Sequence, residues 1–266
     1  MDNENIEIPD KNQEFYDKCR NVFKKLFQTA REKNEINFAM ALNPEARGCQ
    51  DAGWNTAQEA NIAFDQYLEF INTKELSPIK ARVALGFYSL ISEASGFYEI
   101  PKNMLRVSEG EDCVLWPFQD IVKKDKDTGK PIAPNANKIM KNLAEHAYRL
   151  GFTELSEIFR DAFDSDLRNG YAHADYIIWN DGIRLRKRNG GNPRIISWDE
   201  FNELLEKGLN FYTILRETTV EAVQSYNPPK IFRGRQRINE PELNWKISFN
   251  PEKKSFSISC SAGELK

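Results

Sequence analysis

The sequence predicts a mainly α-helical protein: an antiparallel helical bundle with a β-hairpin before its last helix and a short C-terminal β tail. Three observations lead to this fold class. Apolar residues recur at steps of three and four through most of positions 1–226, as on the buried face of a helix. A strand–turn–strand pattern interrupts them at 176–188, and short strand-like segments come after Pro228-Pro229. We therefore expect a bundle domain over 1–226 and a β-hairpin tail over 227–266.

The first helices are predicted by apolar spacing and by their start signals. Thr56 and Glu59 have the spacing of a capping box, and Ser77-Pro78 places a hydroxyl at a helix cap with proline in the first turn. The apolar stripe of the N-terminal helix consists of Phe15, Cys19, Val22, Phe23, Leu26, Phe27 and Ala30. These patterns predict helices after about residue 14, from Thr56 and from Pro78.

The second half alternates helices with irregular segments. Four prolines and the polar run KKDKDTGK predict a long loop insertion over 98–135. Two helices come next, separated by Gly151, and then Asp181-Gly182 predicts the turn of the hairpin. Ser197 and Glu200 form a capping box before the last helix.

Composition limits the chemistry that the chain can perform. It has two histidines, and its four cysteines include no CxxC pair, which argues against a disulfide framework and a structural zinc site. We predict no metal and no cofactor. The net charge of −3 argues against broad binding to duplex nucleic acid but leaves room for a local basic cleft. No apolar run is long enough for a membrane span, and the first ten residues are acidic, so we expect a cytoplasmic protein.

The stretch RNGYAH carries the candidate catalytic residues Arg168, Asn169 and His173. On an ideal helix, Asn169 and His173 share a face, whereas the five positions from Arg168 to His173 leave side chains roughly 140° apart. Gly170 lowers the cost of distorting the helix. Histidine can take and return a proton at neutral pH, arginine stabilises negative charge on a phosphate under attack, and an amide can orient either group. Together they suit metal-free cleavage of RNA through attack by the ribose 2′-hydroxyl.

An arginine five residues before a histidine also occurs by chance, and a histidine at a helix end can simply interact with the last carbonyl groups. The context favours the catalytic interpretation. Arginine, a polar residue and then histidine after four intervening positions, late in a bundle helix, resembles the HEPN family. The segment YIIWNDGIRLRKRNGGNPRIISWDEFNELL is similar to the region after this motif in many bacterial members, and the resemblance covers about 56–226.

The resemblance implies an all-α bundle that dimerises, so that two motifs line one composite cleft. It implies a metal-independent endoribonuclease of a toxin–antitoxin or phage-defence system, with RNA as its substrate and an antitoxin or defence protein as a possible partner. In this chain His173 would be the acid/base, Arg168 the phosphate stabiliser and Asn169 the positioning group. Other members of the family have lost activity, so the alternative is an inactive HEPN-like module that binds RNA, a nucleotide or a protein.

A basic cluster comes after the motif on the predicted hairpin and is a candidate RNA-binding surface: Arg184, Arg186, Lys187 and Arg188. Charged edge strands also protect against aggregation, which is the competing interpretation. A second basic run, from Lys230 to Arg237, is expected in a solvated loop. A further alternative is a structural protein whose β tail pairs with a strand of a partner.

Overall fold

The computed structural model describes residues 11–43, 55–73, 77–187, 190–237 and 239–263. Its described part is mainly helical, as predicted. The helices are α1 (Lys11–Lys33), α2 (Glu35–Ala41), α3 (Thr56–Thr73), α4 (Pro78–Glu93), α5 (Ser95–Glu109), α6 (Ala136–Arg149), α7 (Thr153–Asp161), α8 (Ser165–Ala172) and α9 (Trp198–Gln224). None of these described helices combines the length and the apolar character needed to cross a membrane.

The described residues also form three small antiparallel sheets. Strands β1 (Lys123–Lys124) and β2 (Pro131–Ile132) form a short ribbon. The second sheet has the order β3-β4-β5, and the third has the order β6-β7-β8. Their bounds are β3 (Tyr176–Trp179), β4 (Gly182–Leu185), β5 (Arg194–Ser197), β6 (Lys230–Gly234), β7 (Leu243–Asn250) and β8 (Ser255–Ser261).

Side-chain caps fix several of the helix starts. Ser77 accepts a hydrogen bond from the backbone N–H of Lys80 at 3.1 Å, and Ser197 caps α9 in the same way, as predicted. The capping box predicted at Thr56 is wrong. Asn55 is the cap of α3, accepting from the N–H of Gln58 at 3.0 Å. Asparagine caps at least as well as threonine, so the helix begins directly after it.

The core lies between α1, α5, α7 and α9 and is rich in aromatic rings. Phe211 of α9 contacts Phe23 of α1 with ring centroids 5.7 Å apart and Phe159 of α7 at 6.0 Å. All three rings are buried. Edge-to-face and tilted contacts of this kind add to the stabilisation that burial of the rings provides. The amphipathic stripe predicted for α1 faces this core.

The predicted loop insertion over 98–135 is too long at its N-terminal end. Residues 98–109 belong to α5, which contains Pro101 in its interior. An interior proline removes one helical hydrogen bond and costs about 3 kcal/mol. Here Ile100, Met104 and Leu105 are buried around it, and their burial offsets that cost. The irregular segment therefore starts at Gly110, and it contains a short 3₁₀ helix (Gln119–Ile121) and the β1-β2 ribbon.

Both predicted β-hairpins prove to be three-stranded sheets. β5 pairs with β4, with Ile183 opposite Ile196. β6 pairs with β7, so Lys230 and Arg233 lie on a strand and not in the expected loop. Each additional strand is short and is stabilised by its partner strand more than by its own sequence, which is why alternation alone does not reveal it.

The third sheet packs on the same core as the helices. Ile247 of β7 is fully buried in the main hydrophobic cluster, and the N–H of Phe249 donates to the carbonyl of Tyr226 at 3.0 Å. The buried amide of Asn37 on α2 donates to the carbonyl of Gln236 at 2.8 Å and accepts from the N–H of Cys113 at 2.8 Å. One side chain therefore joins α2 to the segment after α5 and to the segment after β6.

A buried polar cluster connects α5 and α6. The ring of His146, 3% exposed, has its Nδ1 3.2 Å from Nζ of Lys102 and its Nε2 2.8 Å from a carboxylate oxygen of Glu109. The ammonium group can only donate, so Nδ1 accepts and the neutral ring donates from Nε2 to Glu109. Burial lowers the pKa of both His146 and Lys102. This arrangement gives His146 a structural role.

Candidate active site

The motif RNGYAH occupies α8 and its C-terminal end. Asp164 begins the helix by accepting a hydrogen bond from the N–H of Leu167 at 2.8 Å. His173 ends it, with its backbone N–H bonded to the carbonyl of Asn169 at 3.0 Å. The helix stays regular through Gly170, so the distortion that this glycine would permit does not occur. Instead, Gly170 leaves room for Leu185, because a Cβ at Gly170 would lie 2.6 Å from Cδ2 of that side chain.

The chain leaves α8 through a left-handed turn that exposes His173. Ala174 has φ +54, its N–H donates to the carbonyl of Tyr171 at 3.0 Å, and the N–H of Asp175 donates to the carbonyl of Gly170 at 2.8 Å. This pair of bonds is a Schellman motif, which normally has glycine at the left-handed position. The His173 side chain is exposed, and its ring has no hydrogen bond or ion pair with the described residues.

Arg168 has the opposite environment, because its side chain is almost fully buried between α4 and α8. One terminal nitrogen, Nη1, lies 2.8 Å from a carboxylate oxygen of Glu93, and Nη2 lies 2.7 Å from the side-chain oxygen of Asn169. The Nε atom is buried and has no hydrogen-bond partner within the described residues. Glu93 and Asn169 therefore hold two of the three guanidinium nitrogens, and the third is buried.

Arg168, Asn169 and His173 nevertheless line one cleft of about 470 Å³ between α8, the start of α6 and the second sheet. Its remaining walls are Asn135, Asn137, Asp166, Gly170, Asp175, Leu185, Arg186, Lys187 and Arg194. Among these described lining residues, four side chains are cationic and two are anionic. The cleft is therefore locally basic in a chain whose net charge is −3.

The cations of the cleft differ in how far they are already neutralised. Arg194 contacts Asp164 at 2.8 Å, Asp166 at 3.4 Å and Glu200 at 3.0 Å. Burial lowers the pKa of Arg194, but the hydrogen bonds to Asp164 and Glu200 outweigh it and raise that pKa overall. Arg194 therefore holds α8, β5 and α9 together.

Arg186 and Lys187 are the cations of the cleft most open to a ligand. Arg186 is exposed and lies 3.9 Å from Asp175, and Lys187 is exposed with no ion pair to any described residue. Arg184 is not among the described residues that line the cleft, and it forms a two-pronged pair with Asp181 at 2.5 and 2.9 Å. Arg188, the fourth residue of the predicted basic cluster, lies outside the described residues.

A second cleft, of about 410 Å³, lies on the other side of Arg168 between α6, α7 and α8. Asn137 and Arg168 line both clefts, and Lys141 and Arg160 add positive charge to the second one. Within the described residues, no group of three histidine, cysteine or acidic side chains is placed to hold a metal ion.

Sequence reasoning missed two kinds of site residue. Glu93 is 75 positions from Arg168, and no local pattern indicates their contact. Asn135 and Asn137 belong to the start of α6, and the apolar pattern predicts that helix without indicating its proximity to the motif. Asn135 carries a usable signal, since it caps α6 by accepting from Lys138 at 3.1 Å.

Comparison with known proteins gives no relative: no family model, no curated protein and no solved structure matches the chain.

Proposed function

We propose that the protein is a metal-independent endoribonuclease of the HEPN type, acting in a dimer cleft. The observation that carries the proposal is the cleft in which Arg168, Asn169 and an exposed His173 meet the exposed cations Arg186 and Lys187. The imidazole of His173 has no hydrogen bond or ion pair with a described residue, and cations lie beside it in the cleft. Such a ring suits proton transfer at a phosphodiester.

The proposed reaction uses these side chains and water. His173 removes the proton of a ribose 2′-hydroxyl, and the oxygen attacks the adjacent phosphorus. The bond from phosphorus to the 5′-oxygen breaks, and that oxygen takes up a proton from an imidazolium or from water. The products are a 2′,3′-cyclic phosphate and a 5′-hydroxyl. Arg168, which lines the cleft, stabilises the negative charge that grows on the phosphate, while Asn169 holds its guanidinium in place.

The biological setting rests on the resemblance alone. A nuclease of this type fits a toxin or phage-defence effector, with an antitoxin or defence-system protein as a partner. The dimer brings a second copy of the cleft to the first, and it is part of the same proposal.

Cleavage of a labelled single-stranded RNA in excess chelator tests the nuclease. Wild type is expected to release fragments that end in cyclic phosphate, and His173→Ala is expected to be slower by about 10²–10⁴-fold. An RNA with one 2′-deoxy residue at the cleavage position should resist. Lys124→Ala, an exposed change in β1, is the control and should cleave as wild type does. Equal rates for wild type and His173→Ala exclude the proposed role of the histidine.

A second candidate is an inactive HEPN-like module that binds RNA, a nucleotide or a protein without cleaving. The observation that favours it is the commitment of the Arg168 guanidinium to Glu93 and Asn169. RNA binding that Lys187→Ala weakens, with no fragment at any enzyme concentration, would select this function over the nuclease.

A further inference from the structure

The second sheet has one buried face and one exposed face. Along β3, β4 and β5, the side chains of Ile183 and Ile196 point into the protein and are fully buried. Strand alternation places their neighbours on the opposite face, where the cross-strand row is Ile177, Arg184 and Ile195. Ile177 and Ile195 are about three-fifths exposed, so this face has no cover within the described residues.

Trp179 stands at the far end of this exposed face. Its indole is 59% exposed, and its cross-strand partner is Gly182. A side chain cannot be added at Gly182, since φ is +148 and a Cβ would lie 2.0 Å from the carbonyl oxygen of Ile196. The indole is therefore left without a side chain opposite it. A hydrogen bond of 2.9 Å from Nε1 of Trp198 to the carbonyl of Asn180 fixes the adjoining turn.

The same face continues into the candidate active site. Beyond the pair of Ile177 and Arg184, the N–H of Arg186 donates to the carbonyl of Asp175 at 2.9 Å, which extends the ladder by one pair. Alternation puts Arg186 on the face that carries Arg184. Asp175 and Arg186 line the cleft that contains His173. From Arg186 to Gly182 is four strand residues, about 14 Å.

We infer that this exposed sheet face binds single-stranded RNA, stacking a base on Trp179 and leading the strand past Arg184 and Arg186 to His173. The inference rests on the proposed function and gives its substrate class. Single strands expose base faces that an indole and aliphatic side chains can cover, whereas a duplex hides them. Arg184 lies in this exposed row but is paired with Asp181, so Arg186 and Lys187 supply the positive charge where the face meets the cleft.

Binding of a short fluorescent RNA to the full chain tests the inference, with His173→Ala in every variant so that RNA survives. Trp179→Ala is expected to weaken binding of the single strand by about 5- to 150-fold, and Trp179→Phe by much less. Trp116→Ala removes an exposed indole elsewhere and is the matched control, expected to bind as its parent does. A duplex of the same sequence should bind more weakly and respond little to Trp179→Ala.

Equal affinities for Trp179→Ala and Trp116→Ala overturn the inference. So does a Trp179→Ala variant that binds RNA normally but loses self-association or a protein partner in sedimentation, because the face would then be a protein interface. Failure of the nuclease is a separate result: it would appear as absent cleavage by the wild type, whether or not binding depends on Trp179.

Discussion

Replacing Glu93 by glutamine tests how the buried guanidinium of Arg168 is stabilised. The change removes the only carboxylate that pairs with Arg168 within the described residues, and it keeps an oxygen that can accept from Nη1. The Arg168 side chain is 5% exposed and that of Glu93 is 47% exposed. The variant therefore leaves the buried cation of Arg168 facing a neutral acceptor at position 93, where the side chain is half-exposed to water.

The expected loss depends on the separation of the charges. At 2.8 Å, two unit charges attract by about 6 kcal/mol at an effective dielectric constant near 20 and by about 1.5 kcal/mol in bulk water. Because Glu93 is half-exposed, the effective value lies towards the lower figure. We expect Glu93→Gln to reduce the free energy of unfolding by about 2–3 kcal/mol, below the 3–5 kcal/mol typical of a fully buried pair.

Urea unfolding followed by tryptophan fluorescence measures this loss, as a lower midpoint with an unchanged slope. Glu157→Gln is the matched control, because it breaks an ion pair of 2.9 Å with Lys18 in which both side chains are exposed. Such pairs contribute about 0–1 kcal/mol. If the two variants lose the same stability, the account of Arg168 as a cation that depends on Glu93 is wrong.

Three further predictions concern stability. Burial lowers the pKa of His146 in the folded protein, although Glu109 acts in the opposite direction. Below about pH 6.5 the histidine therefore takes up a proton more readily in the unfolded chain, and the free energy of unfolding falls by at most about 1.4 kcal/mol per pH unit from this group. His146→Gln should reduce this pH dependence in urea unfolding between about pH 7 and 5, and an unchanged dependence contradicts the assignment. Ala174→Gly should raise the free energy of unfolding by about 0.5–1 kcal/mol, because glycine adopts the left-handed φ without strain. A lower urea midpoint for this variant would show that Ala174 is not strained. Gly182→Ala should cost more than about 2 kcal/mol through its clash with Ile196, whereas Gly263→Ala, with open space around it, should melt like wild type.

Local signals predict the parts of the fold that local energetics decide. Ser77 and Ser197 cap helices because a hydroxyl and an N–H three positions later meet within one turn. The Thr56 prediction is wrong by one residue, because Asn55 offers an equivalent oxygen one position earlier. Pro101 misleads for the opposite reason: its local cost is real, but burial of the surrounding apolar side chains outweighs it, and burial depends on distant elements.

The candidate site shows the same division. RNGYAH indicates that a helix ends near His173, because a helix end depends on neighbouring residues. The sequence could not predict that Arg168 turns inward to Glu93, or that Arg194 pairs with Asp164 and Asp166, because those residues are far apart in the chain. Nor could the sequence show which face of the second sheet is exposed. It did not predict β5, and without that strand the side chains of β4 lack their cross-strand neighbours on one side.

The Asn37 amide limits how the chain can be shortened. A truncation after Tyr226 would take away Gln236, the acceptor for this amide, and leave a polar donor stranded at the edge of the core. It would also uncover the groove that Ile247 fills. Loss of the third sheet would therefore expose apolar surface and make the helical part prone to aggregate, so a shortened chain that keeps the helices needs the final strands as well.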